Sequence, residues 1–131
     1  MSELAAILVG SALGGVARMW LGERLARRFG MAFPWHTLTV NATGALAIGV
    51  LVGSLPGGLA GGSAGTAWWL LGVGALGSYT TVSSFSLETL VLAHAGRWRA
   101  VAANVGLSLG LCLPAVGVGL MVGTWLSRSP S

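Results

Sequence analysis

The chemistry of this chain is concentrated between Gly74 and Glu88, a stretch reading Gly-Ala-Leu-Gly-Ser-Tyr-Thr-Thr-Val-Ser-Ser-Phe-Ser-Leu-Glu. Ser78, Thr80, Thr81, Ser83, Ser84 and Ser86 bring hydroxyls, and Glu88 a carboxylate, into a long apolar segment. Such groups are costly in hydrocarbon unless each finds a partner. Gly74 and Gly77 lower helix propensity just ahead of the β-branched run Thr80-Thr81-Val82, which weakens the helix further. Local physics therefore predicts an interrupted helix lined with donors at membrane depth. Irregular backbone is tolerated there only against protein or along a water-filled path. Phe85 adds a ring whose edge is the positive side of its quadrupole. Hydroxyl donors and an aromatic edge suit a small, hard anion, whereas carbonyls released by a helix break suit a cation.

Two further groups of donors lie outside this stretch. Asn41 sits in the polar opening of a second apolar segment, with Thr37, Thr39 and Thr43 around it. A buried amide needs several partners, and two readings stand for it: glue between helices, or a donor on a pore wall. Asn104, Ser108 and Cys112 recur at a spacing of four and so share one helix face, as a polar track or as a helix contact. No catalytic set emerges. His36 and His94 flank different segments, Glu88 is the only acid inside the membrane, and neither a Cys/His metal spacing nor a Ser/His/Asp order is present. The chain is not expected to be an enzyme.

Those residues must be positioned by membrane helices. Of 131 residues, 54% are hydrophobic and 8% charged, against about 25% charged in soluble domains. The expectation is an all-α integral membrane protein, a single membrane domain over residues 1–131 with spans at about 4–21, 33–55, 66–93 and 101–126. Gly10 and Gly14 match the small-xxx-small pattern of helix contact. Arg18, near the end of the first span, snorkels to the interface or pairs with a carbonyl. A basic loop with Glu23, Arg24, Arg27 and Arg28 is expected to follow it. Pro34 suits a first helical turn, and Trp35, Trp68 and Trp69 suit the interfacial belt. His36 and His94 also read as interfacial. Residues 56–65 form a flexible, uncharged linker unsuited to holding phosphate. Pro114 is expected to kink the last span. The first apolar run is long enough to be a permanent span and lacks a basic leader, so no signal peptide is expected. The lone Cys112 excludes an intrachain disulfide. Seven Arg and no Lys leave a small basic excess, too few charges to suggest nucleic acid as a partner. Five of those Arg fall in the two loops that four spans would place opposite the termini. The positive-inside rule sets these loops in the cytoplasm and both termini outside.

The run Gly77-Ser-Tyr-Thr-Thr-Val-Ser-Ser-Phe-Ser-Leu-Glu88 resembles the signature of the Fluc (CrcB) fluoride channels, roughly Gly-Gly-x-Thr-Thr-Phe-Ser-Thr-Phe-Ser-x-Glu. Gly14-Gly15-x-x-Arg18 and Thr37-Leu-x-Val-Asn41-x-x-Gly44 support it, so the resemblance covers nearly the whole chain. It implies passive fluoride export across the cell membrane by an antiparallel, dual-topology dimer with two narrow pores. It also implies a structural central sodium ion (Na+) held by backbone carbonyls of Gly77 and Thr80 from both subunits. Carried onto this chain, Asn41 is a pore residue and the two pore phenylalanines fall on Val82 and Phe85. A polar track falls on Thr81, Ser84, Glu88, Asn104 and Ser108. The chain departs from the signature at Val82, which removes one aromatic edge, and at Ser78, which replaces a glycine. Val82 and the one-sided Arg distribution raise a second expectation, that the chain is a non-autonomous half of a heterodimer with an oppositely oriented paralogous subunit. The alternative from another class is a small four-span, proton-coupled cation or drug exporter. Such a protein needs an acid in its first span, and none lies there.

Overall fold

Helix α1, Glu3–Phe29, opens on a side-chain cap: the Ser2 hydroxyl accepts from the backbone N–H of Ala5 at 3.3 Å, with Glu3 in the first turn. It ends where Gly30 takes φ +75, a left-handed conformation that favours glycine. The computed structural model describes residues 2–55 and 65–128. Most of the linker expected over 56–65, residues 56–64, lies outside the described residues.

The stretch from Glu23 to Arg28, expected as a basic loop, is helical and forms the last two turns of α1. The reason is local. Glu23 and Arg27 pair at 3.2 Å one turn apart, and the Arg24 guanidinium lies over the Trp20 ring at 4.2 Å from its centroid. At about 1.5 Å per residue, a helix of this length exceeds the roughly 30 Å of hydrocarbon, so its charged end extends beyond the apolar layer.

Helix α2, Trp35–Ser54, begins after Pro34, which stands at the N-cap, one residue ahead of the first turn expected for it. A π-helical segment, Trp68–Leu76, then runs into one short turn, α3, Gly77–Tyr79. Thr80 (ψ 158) and Thr81 (φ −151, ψ 118) are extended. Helix α4, Val82–His94, restarts from Thr81, whose hydroxyl accepts from the N–H of Ser84 at 3.1 Å. A turn through Gly96, at φ +69, leads into α5, Trp98–Arg128, which runs unbroken through Pro114.

α2 lies along α5, α1 covers the π segment, and α4 packs on α5. The α2–α5 contact and that of α1 with the π segment are made by glycine rather than by large side chains. A methyl at Gly53 would stand 2.5 Å from the Leu120 carbonyl, and one at Gly49, Gly119 or Gly123 would overlap the carbonyl of Val116, Leu46 or Val50. Gly10 and Gly14 of α1 meet the carbonyls of Leu70 and Ala75 in the same way. Among the described residues, the buried apolar side chains are Ala6, Leu38, Val40 and Leu92 alone, while Leu, Val and Met along α1 and α5 are largely exposed. An apolar exterior around a small interior suits a lipid surround. α1, α2 and α5 are each long and apolar enough to cross a membrane.

Gly123→Leu should force α2 and α5 apart and cost about 1–3 kcal/mol, read as a lower unfolding midpoint in detergent. Gly110→Leu, where nothing lies within 4 Å of an added Cβ, should not lower it.

Candidate functional site

Asn41 on α2 reaches the extended step at Thr81 and pairs with both of its backbone groups. Its Nδ2 donates to the Thr81 carbonyl at 2.8 Å, and its Oδ1 accepts from the Thr81 N–H at 2.8 Å. In a continuous helix the Thr81 N–H would donate to the Gly77 carbonyl, and the Ser84 N–H to the Thr80 carbonyl. The first donor is taken by Asn41 and the second by the Thr81 hydroxyl. The carbonyls of Gly77 and Thr80 therefore lose their helical donors together, which makes them oxygen ligands available to a hard cation.

Three neighbours hold this step in place. The Ser78 hydroxyl donates to the Ser11 carbonyl of α1 at 2.5 Å, which gives the serine that replaces a glycine a structural task. Tyr79 and Thr43 share a hydroxyl–hydroxyl bond at 2.9 Å. A methyl at Gly44 would overlap the Thr80 methyl, so the glycine one turn beyond Asn41 admits Thr80 to α2.

Beyond Thr81, one face of α4 faces the start of α2. The Thr37 hydroxyl donates to Glu88 Oε1 at 2.7 Å, and His36 Nε2 stands 3.0 Å from the same oxygen. Both His36 and Glu88 are about one-fifth exposed, with side-chain values of 18% and 21%. Thr81 is 8% exposed, and its hydroxyl lies 3.2 Å from those of Ser83 and Ser84. A cavity of about 350 Å³ is lined by Arg18, His36, Thr37, Thr81, Ser84 and Glu88, among others. A second, also about 350 Å³, is lined by Asn41, Gly77, Thr80, Thr81, Val82 and Cys112, among others. Thr81 is common to both.

The structure thus brings Arg18, Thr81, Ser84 and Glu88 together on one side, and Asn41, Gly77, Thr80 and Val82 on the other. Phe85, Asn104 and Ser108 line neither of these two cavities. Asn104, 2% exposed, donates through Nδ2 to the Thr89 hydroxyl at 2.9 Å, and Thr89 in turn donates to the Phe85 carbonyl at 2.6 Å. Phe85 and Ser108 are half-buried, whereas Val82 is 77% exposed. Sequence reasoning missed the partners His36, Thr37 and Thr89. Thr37 was within reach, because it precedes Asn41 by four residues and so shares its face of α2.

Residues 5–120 match the family model described as CrcB-like protein, Camphor Resistance (CrcB). The chain belongs to the CrcB family. It is 47% identical over 122 residues to "Fluoride-specific ion channel FluC 2" of Bradyrhizobium diazoefficiens, covering 93% of this chain and 89% of the relative. It is 50% identical over 113 residues to the protein of the same name from Rhodopseudomonas palustris, 86% of each chain. It is 39% identical over 128 residues to "Fluoride-specific ion channel FluC" of Paramagnetospirillum magneticum, 98% of this chain and 100% of the relative. With α1, α2 and α5 long and apolar enough to span, this CrcB-family chain is a multi-pass membrane protein.

Asn41→Leu should strand the Thr81 N–H and carbonyl together, at about 1–3 kcal/mol for each buried group. The expected outcome is a clear drop in the unfolding midpoint in detergent, larger than that of Ser108→Ala.

Proposed function

We propose that this chain is a fluoride-specific ion channel of the cell membrane that lowers cytoplasmic fluoride by passive export, and that it is not an enzyme. The observation that carries this reading is its near-full-length likeness to relatives bearing that name. The donor set supports it. Fluoride is a small, hard anion, and shedding water requires replacement donors along its route. Ser84 offers a hydroxyl on one side of the step, beside Thr37 and Thr81, whose hydroxyls donate to Glu88 and Ser84, and Asn41 offers its second amide hydrogen on the other.

In this reading residues 68–94 form a third crossing interrupted at Thr80–Thr81, giving four spans, with the Arg-rich turns in the cytoplasm. The Arg97 guanidinium donates to the Ala32 carbonyl, which joins the α1–α2 and α4–α5 turns at one end of the bundle and suits that arrangement. The functional unit is an antiparallel dimer. Val82, exposed beside the step, gains a wall of the path only when a second subunit covers it. That subunit is a second copy or an oppositely oriented paralogue. The released carbonyls of Gly77 and Thr80 fit a central sodium ion, which would supply positive charge at the junction of the subunits. Phe85, Asn104 and Ser108 complete the route in the assembled dimer, Phe85 through its ring edge.

Fluoride efflux from liposomes holding the purified chain, followed with a fluoride electrode, tests this. Rapid efflux that excludes chloride is the expected result. Asn41→Asp sets a negative charge against the anion and should abolish it. Phe85→Ile should lower it about fivefold, the rate equivalent of the roughly 1 kcal/mol an aromatic edge contributes. Full flux in the Phe85→Ile protein would reduce that ring to a steric role, and silence from the folded chain alone would assign it to a heterodimer.

A further inference from the structure

The turn between α4 and α5 borders a cavity of about 530 Å³, lined by none of the residues assigned to the ion path. Arg97, Trp98, Arg99, Ala100 and Ala103 line it from the start of α5, and Phe33 from the turn before α2. We propose that this cavity binds the headgroup of an anionic phospholipid, one per protomer. The Arg97 and Arg99 guanidinia take the phosphate, and Phe33, Trp98 and the two alanines meet the glycerol and the first acyl carbons. The site is independent of which ion the chain conducts.

The depth of the cavity suits a lipid. Arg99 is the last charged residue before an uncharged run from Ala100 to Ser127, and α5 is long and apolar enough to cross a membrane. The cavity therefore lies where α5 leaves the hydrocarbon, at the level of the lipid phosphates. Trp98, 67% exposed, is a residue type that occupies this level. Arginine beside aromatic and alanine surface matches a ligand that is charged at one end and apolar at the other. Basic pockets between membrane helices at the end of a bundle hold such headgroups.

The wall is organised by the protein's own bonds. The Gly96 N–H donates to the Ala93 carbonyl at 2.9 Å and the Arg97 N–H to the Leu92 carbonyl at 3.0 Å. These paired bonds close α4 on a left-handed glycine, here at φ +69, and fix the position of Arg97. The Arg97 guanidinium then donates to the Ala32 carbonyl. A guanidinium carries five N–H donors, so this bond anchors the group and leaves others for phosphate oxygens. From the other side, the Phe33 ring is set against Trp35, with centroids 4.8 Å apart.

Charge selects the headgroup. Residues 24–35 and 89–103, which meet at this end of the bundle, contain five Arg and no acid. The first turn of α5 holds no acid either and adds the positive end of the helix dipole. A choline or ethanolamine headgroup would bring a second cation beside the arginines, which repel it. A glycerol headgroup leaves the phosphate charge uncompensated. Arginine keeps its charge at all relevant pH, so the site is set at any of them.

The test is native mass spectrometry of the intact chain in detergent, titrated with phosphatidylglycerol or phosphatidylcholine of the same acyl chains. The unaltered chain should bind phosphatidylglycerol about tenfold or more tightly than phosphatidylcholine. Arg99→Gln should weaken phosphatidylglycerol binding about fivefold. Arg28→Gln removes the same charge from the same end, at a residue that stands over the Phe29 ring outside the cavity, and should leave binding nearly unchanged. Ala103→Trp fills the cavity without touching a charge and should weaken binding about as much as Arg99→Gln. Excess inorganic phosphate should not displace the lipid. Gel filtration checks that each variant is folded, and the two Arg variants decide alone if Ala103→Trp is not. Equal affinity for the two lipids, or an Arg28→Gln loss equal to that of Arg99→Gln, would overturn the proposal. So would a folded Ala103→Trp protein that binds as the unaltered chain does. Displacement by inorganic phosphate would give the cavity to a soluble anion and overturn it as a lipid site.

Discussion

The fold depends on one side chain that completes another residue's backbone. Two extended residues inside an apolar bundle leave amide groups that no neighbouring turn can satisfy, and lipid offers no water to take their place. Asn41 resolves this because an amide side chain is donor and acceptor at once. It takes the Thr81 N–H on one atom and supplies the Thr81 carbonyl from the other. An ionised carboxylate could only accept. The Thr81 hydroxyl does the parallel task for the next helix by capping Ser84. With these donors satisfied elsewhere, the Gly77 and Thr80 carbonyls are left without their helical partners.

Glycine decides where that step can sit. Between helices in lipid there is little hydrophobic drive, so close backbone contact and hydrogen bonds must hold the bundle. Gly10 and Gly14 let α1 press against the π segment, and Ser78 adds a bond to Ser11 at the same crossing. Gly44 admits Thr80 to α2, while Gly49 and Gly53 seat α2 on Gly119 and Gly123 of α5. The irregular step is thus clamped from α1 and from α2, which lets its carbonyls be pre-organised without a large apolar core.

The charged groups obey the same economy of partners. Glu88 is tolerated in an apolar helix because Thr37 and His36 converge on it from α2. Arg18 shares its cavity from α1. The charged tail of α1 stays helical because Glu23 meets Arg27 and Arg24 covers Trp20. That tail was misread as a loop from its polarity alone, although alternating charge at helical spacing is as typical of an exposed helix end.

Much of the protein was legible in one dimension. Low charge and long apolar runs determine an all-helical membrane chain, because buried backbone in lipid permits little else. The Gly77–Glu88 run marks the weak point of a helix by propensity and carries its family signature. The Gly10-x-x-x-Gly14 spacing announces a close crossing. What only the tertiary structure decided is which polar groups meet. The amide at residue 41 and the backbone at residue 81 are forty positions apart, and nothing in either segment names the other. Asn104 was read as part of a polar track or of a helix contact, and only the packing shows that its Nδ2 donates to Thr89 across the α4–α5 contact. His36 looked like an interfacial residue until α4 brought Glu88 to it. Periodicity reports which face a residue occupies, but a hydrogen bond needs two atoms within about 3 Å, and only the packing of one helix on another sets that distance.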